Sequence, residues 1–384
     1  MGFLTGRVQF VRYKVKGKAY KTFDNDHLER LASKAIGQAR VISADGVDVG
    51  WTAGDHLLDT RFDLEKNVIN DALHFAFRID QLKLPGDLLR AYTQVEMEGI
   101  AAGNPSGKIS AKQKREAREA AKARLEEEAK DGRFLQRRTH SLMWDAPSNE
   151  LLVASTAQGA IDRLVTLFQQ TFGSGFEIQG AGARAYDLAE LREQTRGVDD
   201  ATPTIFVTGG SAKELAWAPD ENSRDFLGNE FLLWLWYVLE TEGDTIKLAD
   251  ESEIVIMLAR SLVLECPRGQ TGKETITSDA PNKLPEARRA VQSGKLPRKA
   301  GLTIVRHDQA YELTLHAENL GVSAAKMPAI DEPDDRARIE ERITQIRHLT
   351  ESLDLLYDVF GRRRLISDWS KETTRMRKWL ADTE

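Results

Sequence analysis

The sequence predicts an α+β fold in which antiparallel sheets carry packed helices. Three observations lead there. Residues 8–15 and 70–84 alternate as strands do, and short apolar stretches at 141–145, 151–155 and 311–316 read as further strands. Two pairs of strands close on tight turns, at 147–150 and 307–309, a connection open only to antiparallel neighbours. The strand, turn, strand and helix over 141–172 make a β-β-α unit, which suggests antiparallel pairing with helices on one face.

Composition sets the class. The chain has 384 residues, 41% apolar and 30% charged, as ordinary globular proteins do. That length suits two or three domains or one elaborate one. No apolar run approaches the roughly 18 residues a membrane span needs. The N-terminal MGFLTGRVQFVRYKVKG lacks the apolar core of a secretory signal. Cys266 is the single cysteine, which excludes an intrachain disulfide and a cysteine-rich zinc site. The expected compartment is a reducing cytoplasm.

The elements follow in order. Residues 8–15 form a first strand. Asp24 or Asp26 can cap a helix over 26–36 with Leu28, Leu31 and Ile36 as its stripe. Residues 47–51 are a short strand. Residues 70–84 read as a strand stopped by Pro85, which opens a helix to 98. Residues 99–107, rich in Gly, Ala, Ser and Pro, read as a loop. Residues 110–130 are almost wholly Ala, Glu, Lys and Arg, the best helix formers. They make a rod of roughly 30 Å with little to bury, Ile109 and Leu125 being its only large apolar residues. Strands 141–145 and 151–155 with an amphipathic helix at 158–172 form a β-β-α unit, which predicts helices on one face of the sheet. Residues 180–225 are weakly patterned, with linker character near 195–203. Residues 226–240 (FLGNEFLLWLWYVLE) are apolar nearly all round, as a buried helix is. Residues 254–265 read as a strand and 284–293 as a short basic helix. Residues 302–305 and 311–316 form a hairpin around His307-Asp308-Gln309. Helices at 334–360 and 367–381 close the chain, split by Gly361 and three arginines. The regions are 1–98, N-terminal α+β; 99–180, charged helix and β-β-α unit; 181–250, linker and Trp-rich helix, an insertion; 251–330, C-terminal α+β; and 331–384, C-terminal helices.

Net charge is −6, which alone argues against a polyanion partner. The mean conceals an asymmetry. Residues 108–138 hold 11 Lys/Arg against 6 Asp/Glu, 283–299 hold 6 against 1, and 361–379 hold 7 against 2, each a net +5. Setting those 15 positive charges aside leaves −21 for the remainder. Basic patches on an acidic body suit a protein that grips a polyanion on one surface and repels it elsewhere. The candidate phosphate ligands are Lys108, Lys112, Lys114, Arg115, Arg118 and Lys122 on the charged helix, and Arg133, Arg137 and Arg138 beyond it. Lys295, Arg298 and Lys299 lie ahead of the hairpin, and Arg362, Arg363 and Arg364 between the last helices. Each group also fits a plainer role, as a salt-bridged surface helix or as cations at a helix C-terminus.

Signals for catalysis are poor. GQTGK at 269–273 has the look of a phosphate loop, but Glu274 stands where Ser or Thr would hold magnesium, and the first glycine is misplaced. GAGARA at 180–185 spells GxGxxA outside a strand-helix-strand context. His27, His56, His74, His140, His307, His316 and His348 show no ligand spacing, and no nucleophile elbow is present. Trp144, Trp234 and Trp236 read as core, not as a base-stacking platform. The chain is therefore expected not to be an enzyme and to need no cofactor and no metal.

The ordered set of elements resembles the recombination-associated RdgC family. It is carried by VQFVRYKV, Gly50-Trp51, Lys83-Leu84-Pro85, the charged helix, Arg133-Phe134-Leu135-Gln136-Arg137, Met143-Trp144-Asp145, Ser293-Gly294-Lys295 and the hairpin before the C-terminal helices. This chain has Leu135 where the family commonly has an aromatic, and 226–240 is an addition. The resemblance implies an RdgC-like α+β fold and a ring-shaped homodimer, closed head-to-head and tail-to-tail. Duplex DNA would pass through its basic hole without sequence preference, with single-stranded DNA a further candidate. It implies a nucleoid-associated protein that limits RecA-type recombinase access to DNA. The helix cations, Arg133, Arg137, Lys295 and Lys299 carry over; Arg362, Arg363 and Arg364 come from charge alone. The alternatives are a DNA-processing nuclease subunit or a protein-interaction component of a phage-defence or genome-maintenance assembly.

Overall fold

One antiparallel sheet of 13 strands runs through the computed structural model, which describes residues 2–38, 46–54, 56–105, 107–207, 223–267 and 272–382. The first half contains β1 (Val8–Val15), α1 (Asn25–Ser33), β2 (Val47–Thr52), α2 (Leu64–Asn67), β3 (Val68–Ile69), β4 (Ala72–Leu82), α3 (Gly86–Gly103), α4 (Ala111–Glu128), β5 (Leu135–Asp145), β6 (Glu150–Val153), α5 (Gln158–Phe172) and β7 (Phe176–Ile178). The second contains α6 (Ala181–Glu190), α7 (Thr195–Asp199), α8 (Phe226–Thr241), β8 (Thr245–Lys247), β9 (Glu253–Glu265), β10 (Lys273–Ser278), α9 (Pro285–Gln292), β11 (Leu296–Arg306), β12 (Gln309–His316), β13 (Val322–Lys326), α10 (Asp335–Arg364) and α11 (Trp369–Ala381). The main strand order is β10-β9-β11-β12-β13-β1-β6-β5-β4-β2. Among the described residues no helix is long and apolar enough to cross a membrane.

Strand β1 joins two cores. Its side chains alternate between faces, so Val8 and Phe10 enter one core while Val11, Tyr13 and Val15 enter the other. The same parity holds on β6, where Leu152 faces one way and Leu151 and Val153 the other. Helices α1 and α5 help close the second core around Trp51, Phe75, Trp144 and Phe168. Helices α8 and α10 help fill the first, around Trp234, Trp236, Tyr311 and Tyr357. Helices therefore cover both faces of the sheet, not one, because the central strands are apolar on both sides.

Other boundaries move for local reasons. The strand expected over 70–84 is broken at Asn70 and Asp71, both left-handed (φ 47° and 58°), which form the two-residue turn from β3 to β4. Helix α3 continues to Gly103 through most of the expected loop, where Ala101 and Ala102 favour helix. Helix α10 runs through Gly361 to Arg364, so the glycine does not split the C-terminal helices. Helix α8 is no appendage: it lies at the centre of the larger core, and a Cβ on Gly228 would stand 1.8 Å from the Ala317 carbonyl oxygen. Residues 269–271 of the GQTGK stretch lie outside the described residues.

Candidate nucleic-acid interface

Helices α3 and α4 interrupt the longest ribbon of the sheet. Strands β4 and β5 pair from Ala72 with Asp145 to Leu82 with Leu135, and the helical hairpin is inserted at that last pair. The hairpin packs chiefly on itself. Ser110 starts α4 with a capping box: its Oγ accepts the Gln113 N–H at 3.2 Å, and the Gln113 side chain accepts the Ser110 N–H at 2.9 Å. Ala117, Ala121 and Leu125, four residues apart, form the buried seam of α4. The Tyr92 hydroxyl donates to Glu128 at 2.9 Å, and Arg124 covers the Tyr92 ring at 4.1 Å. The charged helix thus buries small residues against α3, more than its lack of large apolar residues suggested.

Pairing separates the cations of α4. Lys112 meets Glu116 at 3.8 Å and Lys122 meets Glu126 at 3.3 Å, both one turn along. Lys114, Arg115 and Arg118 are exposed and have no acid partner among the described residues. At 3.6 residues per turn they occupy about 100° of the helix circumference. Lys108 is exposed in the turn before α4, where its carbonyl accepts from Asn104 at 2.7 Å.

The three arginines at the root of the arm do not form one cluster. Arg133 is held by Asp131 at 2.6 Å. Arg137 and Arg138 are successive residues of β5, so they leave opposite faces. Arg137 lies 3.6 Å from Asp80, which already holds Arg78 through two bonds of 2.7 Å. Arg138 stands opposite Ile79, exposed and without an acid partner among the described residues. Burial and the nearby Arg138 hold the His140 imidazole below its ordinary value.

The other two cation groups are largely absorbed by the fold. Lys295 is 4% exposed and donates to Glu274 at 2.6 Å. Arg298 binds Glu318 at 2.7 Å and Glu265 at 3.0 Å. Lys299 is half-buried opposite His316. Arg362 pairs with Asp358 at 2.6 Å, and Arg363 reaches Glu242 at 2.8 Å and 2.9 Å. Arg364 is buried against Glu230 and the Thr202 carbonyl. A phosphate could engage Lys295, Arg298 or Arg364 only by displacing a carboxylate, so these three leave the candidate interface, as do Arg362 and Arg363 in the paired state described.

The exposed cations of α9 and α11 were not singled out from the sequence. Lys371, Arg375 and Lys378 share an i, i+4, i+7 stripe opposite Trp369, Thr373, Met376 and Leu380. That amphipathic spacing was the available signal.

A cleft of about 620 Å³ lies between α6, α10 and the β5–β6 hairpin. Its charges are mutually paired. Arg12 binds Glu150 at 2.8 Å and Asp354 at 2.7 Å, Arg184 binds Asp354, and Arg347 binds Asp145 at 2.7 Å. Burial alone would raise the Asp354 carboxyl, but Arg12 and Arg184 more than offset it and hold it low. The network fastens α6 and α10 to the sheet. Among the described residues no three His, Cys, Asp or Glu side chains gather as a metal site. No protein-family model matches the chain, and no curated protein matches its sequence.

Proposed function

We propose that the protein binds double-stranded DNA through its phosphates, without sequence preference, and is not an enzyme. The observation that carries this is the set of unpaired cations on an arm that stands off an acidic body. Lys114, Arg115 and Arg118 line one side of α4, and Arg138 lies at the ribbon that bears the arm. Phosphate contacts of this kind fix a protein on a duplex and carry no sequence information.

A second copy completes the reading. Along α3 run Leu88, which is half-buried, and Ala91, Val95, Gly99 and Ala102, which are exposed, Val95 to 55%. The spacing is the same in both directions from Val95. Two α3 helices laid antiparallel would set Leu88 against Ala102, Ala91 against Gly99, and Val95 against itself, large against small at the ends. A dimer joined by its arms is compatible with the ring and with the occupation of DNA that the RdgC resemblance implies, including restraint of a RecA-type recombinase.

Anisotropy titration of a random-sequence duplex tests the reading. Four phosphates neutralised by the arm cations of one protomer contribute a slope of about −3.6 in log K against log salt, so affinity falls at least roughly 100-fold between 50 and 200 mM. Absent or salt-insensitive binding would remove it. Nicking of plasmid with magnesium or manganese would favour a nuclease instead.

A further inference from the structure

We infer that α9 and α11 together form a second phosphate-binding surface, separate from the arm; this rests on the DNA-binding reading above. Two basic segments far apart in sequence, 283–299 and 361–379, are brought side by side. Gln292 Nε2 donates to the Leu380 carbonyl at 2.6 Å. Arg288 donates to the Asp382 carbonyl at 2.7 Å and lies 5.3 Å from the Trp379 ring centre. Glu240 consumes the charge of Arg288 at 2.7 Å.

The cations that remain face outward. They are Lys283 and Arg289 on one side, and Lys371, Arg375 and Lys378 on the other. Arg377 adds its charge while donating to the Ile205 carbonyl at 2.9 Å. Lys283, Arg289 and Lys378 have no acid partner among the described residues. Lys371 shares Asp368 at 2.9 Å, in a pair that is open to solvent. Arg375 lies 3.4 Å from Glu372, which also meets Arg363 at 3.4 Å. Among the described residues the exposed acids on these two helices and their ends are Glu286, Asp368 and Asp382, so cations predominate.

The chemistry favours phosphates over a protein partner. Trp379, Met376 and Leu380 of α11 are turned into the core, and no large apolar side chain of α9 or α11 is exposed. A protein interface draws on aromatic and apolar residues at its centre, whereas a nucleic-acid interface is polar and strongly cationic.

The surface also lies far from the arm. Helix α9 packs on β9 and β10, and the arm springs from β4 and β5. Seven strand intervals separate β9 from β4. At about 4.8 Å per interval the separation along the sheet is roughly 30 Å. The two cation surfaces would therefore hold different stretches of one duplex.

The full-length protein should be titrated with a 24-base-pair random duplex at several salt concentrations. The α11 variant Lys371→Gln/Arg375→Gln/Lys378→Gln is compared with the arm variant Lys114→Gln/Arg115→Gln/Arg118→Gln. Glutamine retains helix propensity, and circular dichroism melts check folding. Lys283→Gln/Arg289→Gln, outside α11, serves if the α11 variant is unfolded. Each triple variant should lower the magnitude of the salt slope by about 2–3, and the double variant by about 2. If the α9 and α11 variants keep wild-type affinity and slope while the arm variant loses them, the second surface is overturned and the DNA reading stands. If the wild type shows no salt-sensitive binding, both fall.

Discussion

Arg133, Arg137 and Arg138 and the run Arg362, Arg363 and Arg364 are alike in the sequence: both follow a helix and both raise local charge. The fold treats them differently. The C-terminal run meets Asp358, Glu242 and Glu230, two of them supplied by or next to α8. At the arm, Arg133 and Arg137 meet Asp131 and Asp80 in half-open pairs, and Arg138 meets no acid among the described residues. An arginine is available to a partner only where other elements bring no carboxylate to it.

That contrast predicts opposite consequences of the same substitution. Arg364→Ala would leave Glu230, 1% exposed, without its cation. Breaking a buried pair from one side costs about 3–5 kcal/mol, read as a lower urea midpoint. Arg138→Ala, at an exposed site, should change stability by less than about 0.5 kcal/mol yet weaken duplex binding. Equal stability effects would abolish the distinction between the two triplets.

The partners explain which parts were legible in sequence. The β-β-α unit, the hairpin at His307-Asp308 and the buried α8 follow from local period and turn chemistry, and the structure contains each. Glu230 lies 134 positions from Arg364, and Glu242 lies 121 from Arg363. No local pattern joins such pairs. The same limit hid the meeting of α9 with α11, and the two-sided covering of the sheet. Within the arm, burial of Ala117 and Ala121 depended on where α3 lay, and alanine alone does not announce a seam.

The loop cations sharpen the contrast through pH. Burial, with the adjacent Lys299, pushes His316 down to about 4. The unfolded chain takes up that proton near 6.5 while the folded state resists it. Stability from this site is therefore complete above about pH 6.5 and is lost as pH falls towards 4, by up to about 3 kcal/mol. His316→Gln should flatten that part of a stability-against-pH curve. Lys299→Gln should move the lower limit upward and narrow the window. Helices α3 and α4 contain no histidine, so the loss should be read in global unfolding and not in melting of the arm alone. An unchanged pH curve for His316→Gln would sink this assignment.

The glycines of α8 and α3 stand in opposite surroundings. In α8 a Cβ on Gly228 would lie 1.8 Å from the Ala317 oxygen and 2.5 Å from its carbonyl carbon, both backbone atoms. Gly228→Ala must displace the helix or the turn, at a cost of about 1–3 kcal/mol, the usual range for overpacking. In α3 nothing lies within 4 Å of a Cβ on Gly99. Gly99→Ala should therefore stabilise the isolated arm by roughly 0.5–1 kcal/mol, because alanine has less backbone freedom to lose in a helix. Amide hydrogen exchange across residues 86–128 reads the second effect, and global denaturation reads the first. The Gly99 result also bears on the second copy. In the antiparallel register Gly99 faces Ala91 of the partner subunit, so an added methyl should slow exchange in the monomer yet loosen the dimer by sedimentation. If dimer affinity is unaltered, Gly99 lies outside the contact and the α3 pairing must be abandoned.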